Sequence, residues 1–97
     1  MDMKIINATF YILEDKRIDF LTDIKALIES TKLEAGCLDY HLYESIEEAN
    51  KFIMVENWAN QEAINKHNQN PFLLNLFKNM AKYSSKEASI KISTLED

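Results

Sequence analysis

The 97-residue sequence predicts an α+β fold, in which a four-stranded antiparallel sheet carries helices on one face. Segments with strand periodicity are interrupted by segments with helical spacing, and residues 50–67 change from one period to the other within a few positions. Two of the strands are rich in apolar residues on both faces, which indicates that both faces of the sheet are covered. A chain of this length supplies helices for one face only, so we expect a second copy to cover the other.

The first strand is predicted over Lys4 to Leu13. One of its faces is wholly apolar and the other is mixed, as expected for a strand in the middle of a sheet. A helix follows, for which Asp15 is a candidate N-cap. Apolar residues recur along this helix at helical spacing: Ile18, Leu21, Ile24, Leu27 and Ile28.

A hairpin is predicted after Gly36, with strands over Cys37 to Ser45 and Phe52 to Trp58 and a short turn between them. The second of these strands places four alternate residues on one face: Phe52, Met54, Glu56 and Trp58. Asn60 is a candidate N-cap for the helix that comes next, and His67 lies on the side of that helix that faces the sheet.

Asn70 and Pro71 predict the start of another helix, since asparagine is a good N-cap and proline suits the first helical position. Its inward residues are predicted to be Phe72, Leu73, Leu76, Phe77, Met80 and Tyr83. A last strand around Ala88 to Ser93 is predicted to lie at a sheet edge.

The resulting order of strand, helix, two strands, helices and strand is the split βαβ or ferredoxin-like plan, in a single domain over residues 1–97. The uncovered sheet face is predicted to include Phe52, Met54, Tyr11 and Tyr43. Burying such side chains stabilises a protein by roughly 1.5–3 kcal/mol each. We therefore expect a homodimer with sheet packed on sheet.

Composition excludes several classes of protein. A net charge of −5, from 11 basic and 16 acidic residues without a basic cluster, argues against a nucleic-acid partner. The single cysteine, Cys37, fits a reducing compartment, and neither a signal peptide nor an apolar run of membrane length is apparent. The expected location is the cytoplasm, away from membranes. Two histidines without a Cys/His cluster give no metal-site spacing.

Four short motifs follow one another along the chain: Thr31-x-x-Glu34-x-Gly36-Cys37-Leu38-x-Tyr40, Phe52-x-x-x-Glu56-x-Trp58, Glu62-Ala63-x-x-x-His67 and Pro71. In this order and spacing they resemble the antibiotic biosynthesis monooxygenase superfamily, which includes small quinol monooxygenases. The resemblance covers nearly the whole chain. It implies a dimeric α+β barrel of ferredoxin-like subunits. Members of the family oxidise electron-rich polycyclic phenols or quinols with dioxygen, often with no metal, flavin or haem cofactor, so the expected function is oxidation of a quinol or phenolic aromatic.

The resemblance also implies roles for individual residues. His67 would be the catalytic base, because imidazole titrates near neutral pH. Trp58 would form a wall of the substrate pocket and donate its indole N–H, and Asn7, an amide in an apolar strand, would polarise a substrate oxygen. Substrate-lining positions are Tyr40, Met54, Phe72 and Phe77. Met54 stands where polyketide-oxidising relatives carry an asparagine, so the resemblance does not extend to a polyketide substrate.

Each of these residues also has a structural interpretation. His67 could bond a carbonyl at its helix end, Trp58 could pack in the core or a dimer interface, and Asn7 could pair with a backbone group. The aromatic pocket residues could equally be core. The last predicted helix has no histidine, and Phe77 stands at about the position where haem-degrading members of the superfamily carry their iron-binding histidine. The resemblance therefore does not favour haem degradation. Two other functions stay open: a non-catalytic small-molecule binding or stress-response module, and an isomerase or degrading enzyme for a signalling metabolite.

Overall fold

The computed structural model describes residues 2–96 and confirms the α+β, ferredoxin-like fold. The strands are β1 (Met3–Ile12), β2 (Cys37–Glu44), β3 (Lys51–Trp58) and β4 (Ser84–Leu95). The helices are α1 (Arg17–Thr31), α2 (Gln61–His67) and α3 (Pro71–Tyr83), with a 3₁₀ turn at Glu14–Lys16 before α1. The sheet order is β2-β3-β1-β4 and every neighbouring pair is antiparallel, so β1 is central and β4 lies at an edge, as predicted.

The starts of α2 and α3 are those expected from the sequence. The Asn60 side chain accepts a hydrogen bond from the Ala63 amide at 2.9 Å. The Asn70 side chain accepts one from the Phe72 amide at 2.8 Å, and Pro71 occupies the first turn. The predicted Asp15 cap is wrong, because Asp15 lies within the 3₁₀ turn and α1 begins after Lys16 without a side-chain cap.

The helices cover the sheet face that contains the wholly apolar side of β1. The register pairs Phe10 with Phe52 and Ala8 with Met54, so these residues share that face. Phe52 and Met54 are accordingly buried beneath the helices of their own chain. The prediction that they lie on the uncovered face is wrong, since pairing register, which the sequence alone does not show, decides which face of β3 joins which face of β1.

The opposite side of the sheet has no helix over it within residues 2–96 and is here called the open face. Its central residues come from the odd-numbered positions of β1, β2 and β3: Ile5, Asn7, Thr9, Tyr11, His41, Tyr43, Ile53 and Val55. Those on the two middle strands are partly buried by one another, whereas Tyr43 on edge strand β2 is 55% exposed. Tyr11 and Tyr43 thus lie on the open face, as predicted.

The core beneath the helices is built around α1. Phe20, Ile24 and Leu27 are fully or almost fully buried, whereas Ile18 is 79% exposed, contrary to its predicted inward position. On α3, Leu73 and Leu76 point inward and Phe72 is half exposed. Phe72 lies about 100° around its helix from Leu73, and Ile18 lies about 160° from Phe20, so each of these two side chains is turned to solvent. No helix within residues 2–96 has the length and apolar character needed to span a bilayer.

Gly36 fastens the connection between α1 and β2 onto α2. Its φ of +83° is a conformation that favours glycine, and a Cβ there would come within 2.6 Å of the Ala63 Cβ. Its carbonyl oxygen accepts a hydrogen bond from the Ala59 amide at 2.8 Å. This close approach places the residues just before Gly36 beside the end of α2, where His67 lies.

Candidate active site

His67 lies at the end of α2 and faces the sheet, as the sequence predicts. The residue is only 3% exposed. Its ring centroid lies 4.6 Å from that of Trp58 and 5.3 Å from that of Tyr40, so aromatic rings enclose it on two sides. A buried imidazole in such surroundings needs polar partners for its two nitrogens.

The Glu34 carboxylate is the partner of one ring nitrogen. Nδ1 of His67 lies 3.1 Å and 3.2 Å from the two carboxylate oxygens of Glu34. Because a carboxylate only accepts hydrogen bonds, we assign the Nδ1 hydrogen to this contact. In the neutral imidazole the lone pair is then on Nε2, which lies 3.4 Å from the Tyr40 hydroxyl oxygen.

Asn70 holds Glu34 in place. Its side-chain amide donates to Glu34 Oε2 at 2.6 Å and to the Ser30 hydroxyl at 3.0 Å. The Glu34 side chain is 21% exposed and reaches a shallow surface pocket next to Lys66. The carboxylate therefore contacts the buried imidazole on one side and the protein surface on the other, and it can stabilise a positive charge on His67.

Glu56 is a second carboxyl group close to His67. It is 7% exposed, and its Oε1 accepts a hydrogen bond from the Trp58 indole N–H at 2.9 Å. Burial raises the pKa of Glu56 to about 7; the Trp58 hydrogen bond opposes this rise, and the negative charge of Glu34 adds to it. Near neutral pH, this side chain therefore exists in both its protonated and ionised forms.

Tyr40 completes the polar group. It is 2% exposed and lies opposite Glu56 in the β2–β3 register. Burial raises the pKa of its phenol well above the ordinary value, and the Glu56 charge acts in the same direction. The hydroxyl therefore keeps its hydrogen at neutral pH and can serve as a donor.

A cavity lies between the sheet and the helices, and three of these polar side chains line it. Its volume is about 220 Å³, and its walls include Tyr40, Glu56 and His67. The remaining surface is mainly aliphatic or aromatic and includes Ala8, Met54, Leu73, Leu76 and Phe77. Phe77 and Ile90, both about half exposed, line the cavity where α3 approaches edge strand β4. An apolar cavity with a few convergent polar groups is the usual form of a small-molecule site.

Comparison with known proteins agrees with this architecture. Residues 3–83 match the family described as antibiotic biosynthesis monooxygenase. The chain belongs to this family. The fold is also that of a structure from Caulobacter crescentus, with a TM-score of 0.90 at 22% identity over 98% of this chain and 91% of that chain.

Two other proteins are similar to this chain in sequence. The "Uncharacterized protein sll1783" of Synechocystis is 30% identical over 94% of this chain, and the match spans 62% of its own length. The "Putative monooxygenase YcnE" of Bacillus subtilis is 31% identical over 69% of this chain and 70% of its own length. The chain thus spans less than two thirds of the Synechocystis relative.

In this antibiotic biosynthesis monooxygenase family member, four of the predicted site residues line the cavity together: His67, Tyr40, Met54 and Phe77. Trp58 lies behind His67, is fully buried and does not line the cavity. Its indole N–H donates a hydrogen bond to Glu56 Oε1, so Trp58 holds this carboxyl group in place from outside the cavity.

Asn7 and Phe72 are not brought to the cavity. Asn7 pairs with Val55 in the register and lies on the open face, because odd-numbered residues of β1 point away from the helices. Phe72 is 46% exposed on the outer side of α3. Within one chain, neither residue can contact a molecule held beside His67.

Glu34 and Glu56 are the site residues for which sequence reasoning assigned no role. Both stand in the motifs that resemble the family. Glu56 carried a signal of its own, since it interrupts a strand face that is otherwise formed by Phe52, Met54 and Trp58. An acid in such a row is costly unless it is paired or protonated, which marks it as a candidate for function.

Neither a metal site nor a reactive thiol is apparent in the part of the chain that the structure describes. Among residues 2–96, no three His, Cys, Asp or Glu side chains are grouped closely enough to hold a metal ion. Burial raises the pKa of Cys37 to about 11, so its sulfur stays a thiol at neutral pH. Cys37 is therefore a packing residue against the core rather than a nucleophile.

Proposed function

We propose that this protein is a cofactor-independent monooxygenase that oxidises a small quinol or phenol with dioxygen, with His67 as the catalytic base. The observation that carries the proposal is the orientation of His67. Glu34 binds Nδ1, so the Nε2 lone pair, which lies 3.4 Å from the Tyr40 hydroxyl oxygen, is the position that accepts a proton from a substrate hydroxyl in the cavity. The family match and the name of the Bacillus relative support the class of reaction.

Removal of a proton is the step that an enzyme of this kind has to promote. A phenol or quinol that becomes an anion is electron-rich enough to reduce dioxygen directly. His67 takes the proton on Nε2, and Glu34 stabilises the resulting imidazolium at a distance of 3.1 Å. The Tyr40 hydroxyl, which keeps its hydrogen, donates to the developing oxyanion.

The cavity favours a substrate of one or two aromatic rings. Its volume of about 220 Å³ is below the roughly 300–1,000 Å³ of sites for drug-sized ligands. An apolar cavity of about 150 Å³ is already large enough for benzene. Methionine and leucine side chains in the wall, such as Met54 and Leu76, suit a flat apolar ring, whereas a tetracyclic polyketide would not fit.

Oxygen uptake by the purified, chelator-treated protein tests the proposed function. Reduced benzoquinols and naphthoquinols should be consumed faster than they autoxidise, with one oxygen atom of each dioxygen incorporated into the quinone product and the other released as water. Anthrones, which are larger, should be poorer substrates. Rates equal to the protein-free background across the whole panel would contradict the proposal and favour a binding module, which ligand-induced thermal shifts would then identify.

We also propose that two copies associate through their open faces. Ile5, Ile53 and Val55 lie there as partly exposed apolar side chains on the two middle strands, with no helix above them within residues 2–96. Removing such side chains from water would stabilise a dimer by roughly 25 cal/mol per Å² of apolar surface.

Light scattering at micromolar concentration should give the mass of a dimer, and Val55→Glu should give a monomer. The variant places a charge in the middle of the proposed interface, where removing it from water would be costly. Gln61→Glu, which adds the same charge on the exposed start of α2, is the matched control and should remain dimeric. A monomeric wild-type protein would overturn the proposed interface.

A further inference from the structure

Glu56 presents an unused carboxyl oxygen beside the proposed base. Oε1 is held by the Trp58 indole N–H, whereas no group among residues 2–96 donates to Oε2. The residue lines the same cavity as His67 and Tyr40. A carboxyl group with one oxygen held by a hydrogen bond and the other oxygen free is well placed to exchange a proton with a bound molecule.

The surroundings of Glu56 keep both of its protonation states accessible. The titratable groups that face it are Tyr40 and Cys37 from β2, His67 from α2 and Glu34 from the connection after α1. Its register partner on β1 is Ile6, and the residues of α1 and α3 that line the same cavity are apolar: Ile24, Leu27, Leu73, Leu76 and Phe77. With no lysine or arginine in this set, burial and the Glu34 charge raise the pKa of Glu56 to about 7.

We propose that Glu56 is a second catalytic residue, an inference that rests on the proposed function. Glu56 protonates the peroxide formed when oxygen adds to a carbon atom of the substrate. It then removes the hydrogen from that carbon atom. His67 would start the reaction and Glu56 would complete it. The two roles are separable because they concern different bonds of the substrate.

The proton and electron balance of this sequence closes without an added reductant. His67 takes the hydroxyl proton, and the substrate anion gives two electrons to dioxygen as a carbon–oxygen bond forms, leaving a C–O–O⁻ group. Protonated Glu56 transfers its proton to the terminal oxygen. Its carboxylate then takes the hydrogen of that carbon, the C–H electron pair forms the new carbonyl bond, and the O–O bond breaks.

The departing hydroxide takes the proton that His67 holds and becomes water. Both side chains have then returned to their starting states. One oxygen atom is in the quinone product and the other is in water. One hydrogen of that water is the hydroxyl proton of the substrate, and the other is the proton that Glu56 donated, which the C–H hydrogen of the substrate replaces on Glu56.

The test compares Glu56→Gln with the wild type by measuring oxygen consumed, quinone formed and peroxide formed in the same assay. Glutamine keeps an oxygen that can accept from Trp58 but has no transferable proton. We expect Glu56→Gln to consume oxygen still, while the yield of quinone that contains an oxygen atom from dioxygen falls by roughly tenfold or more per oxygen consumed, and organic or hydrogen peroxide accumulates. Glu56→Asp, which keeps a transferable proton, should restore part of the coupling, which is the yield of oxygenated quinone per oxygen consumed.

The outcomes separate this inference from the proposed function. Full coupling in Glu56→Gln, or a loss of oxygen uptake without peroxide, would overturn the role of Glu56 while an active wild-type enzyme upholds the oxygenase. No oxygen uptake by the wild type would overturn both.

An infrared titration of the wild type covers the case in which Glu56→Gln does not fold. The protein would be labelled with carbon-13 at the glutamate side-chain carboxyl groups. A protonated-carboxyl band should disappear as the pH rises through about 7. A protein in which every such band is lost by about pH 5, where ordinary glutamates are ionised, would overturn the inference.

Discussion

Replacing His67 with alanine should lower kcat for oxygen consumption by roughly 10²–10⁴-fold, the usual contribution of a positioned general base. The variant removes the imidazole that lines the cavity, and among residues 2–96 no second cavity side chain both accepts a proton readily and is bonded to a carboxylate. The measurement is initial oxygen uptake at saturating quinol, after subtraction of the protein-free rate.

The matched control for this prediction is Asn65→Ala, an exposed change on the same helix, which should leave kcat unchanged. The thermal unfolding temperatures of both variants are compared with their kcat values. A catalytic role predicts that His67→Ala lowers kcat far more than it lowers thermal stability. If His67→Ala lost stability in proportion to activity, or if it kept its activity, His67 would be a structural residue.

Replacing Phe20 with alanine should destabilise the fold by about 3–5 kcal/mol, which is the range for a large-to-small change at a buried aromatic position. The residue is completely buried, and its ring centroid lies 5.2 Å from that of Phe52 and 5.6 Å from that of Phe10. It joins α1 to both middle strands of the sheet. Urea denaturation followed by circular dichroism measures the change in the free energy of unfolding.

Phe72→Ala is the control of identical chemistry. This ring is 46% exposed on the outer side of α3, so we expect a loss below about 1 kcal/mol. Because small domains are stable by only about 5–15 kcal/mol, the Phe20 variant should lie close to unfolding at room temperature while the Phe72 variant does not. Equal losses in the two variants would contradict the core arrangement described above.

The sequence by itself determined the features that depend on near neighbours along the chain. Strand and helix periods, the asparagine caps at residues 60 and 70 and the inward direction of His67 follow from side-chain spacing and from hydrogen bonds within one turn. The resemblance of the four motifs to a family, and with it the ferredoxin-like plan, was also readable there. These predictions agree with the structure because local geometry varies little with context.

Only the tertiary structure decided which residues meet. Pairing register placed Phe52 and Met54 beneath the helices and Asn7 on the open face, because a strand pattern with apolar residues on both sides fits either orientation. The contact between Glu34 and His67 joins residues 33 positions apart, brought together by the close packing of Gly36 on Ala63. Burial then shifts the protonation of Glu56, and burial is a property of the assembled core rather than of any segment of sequence.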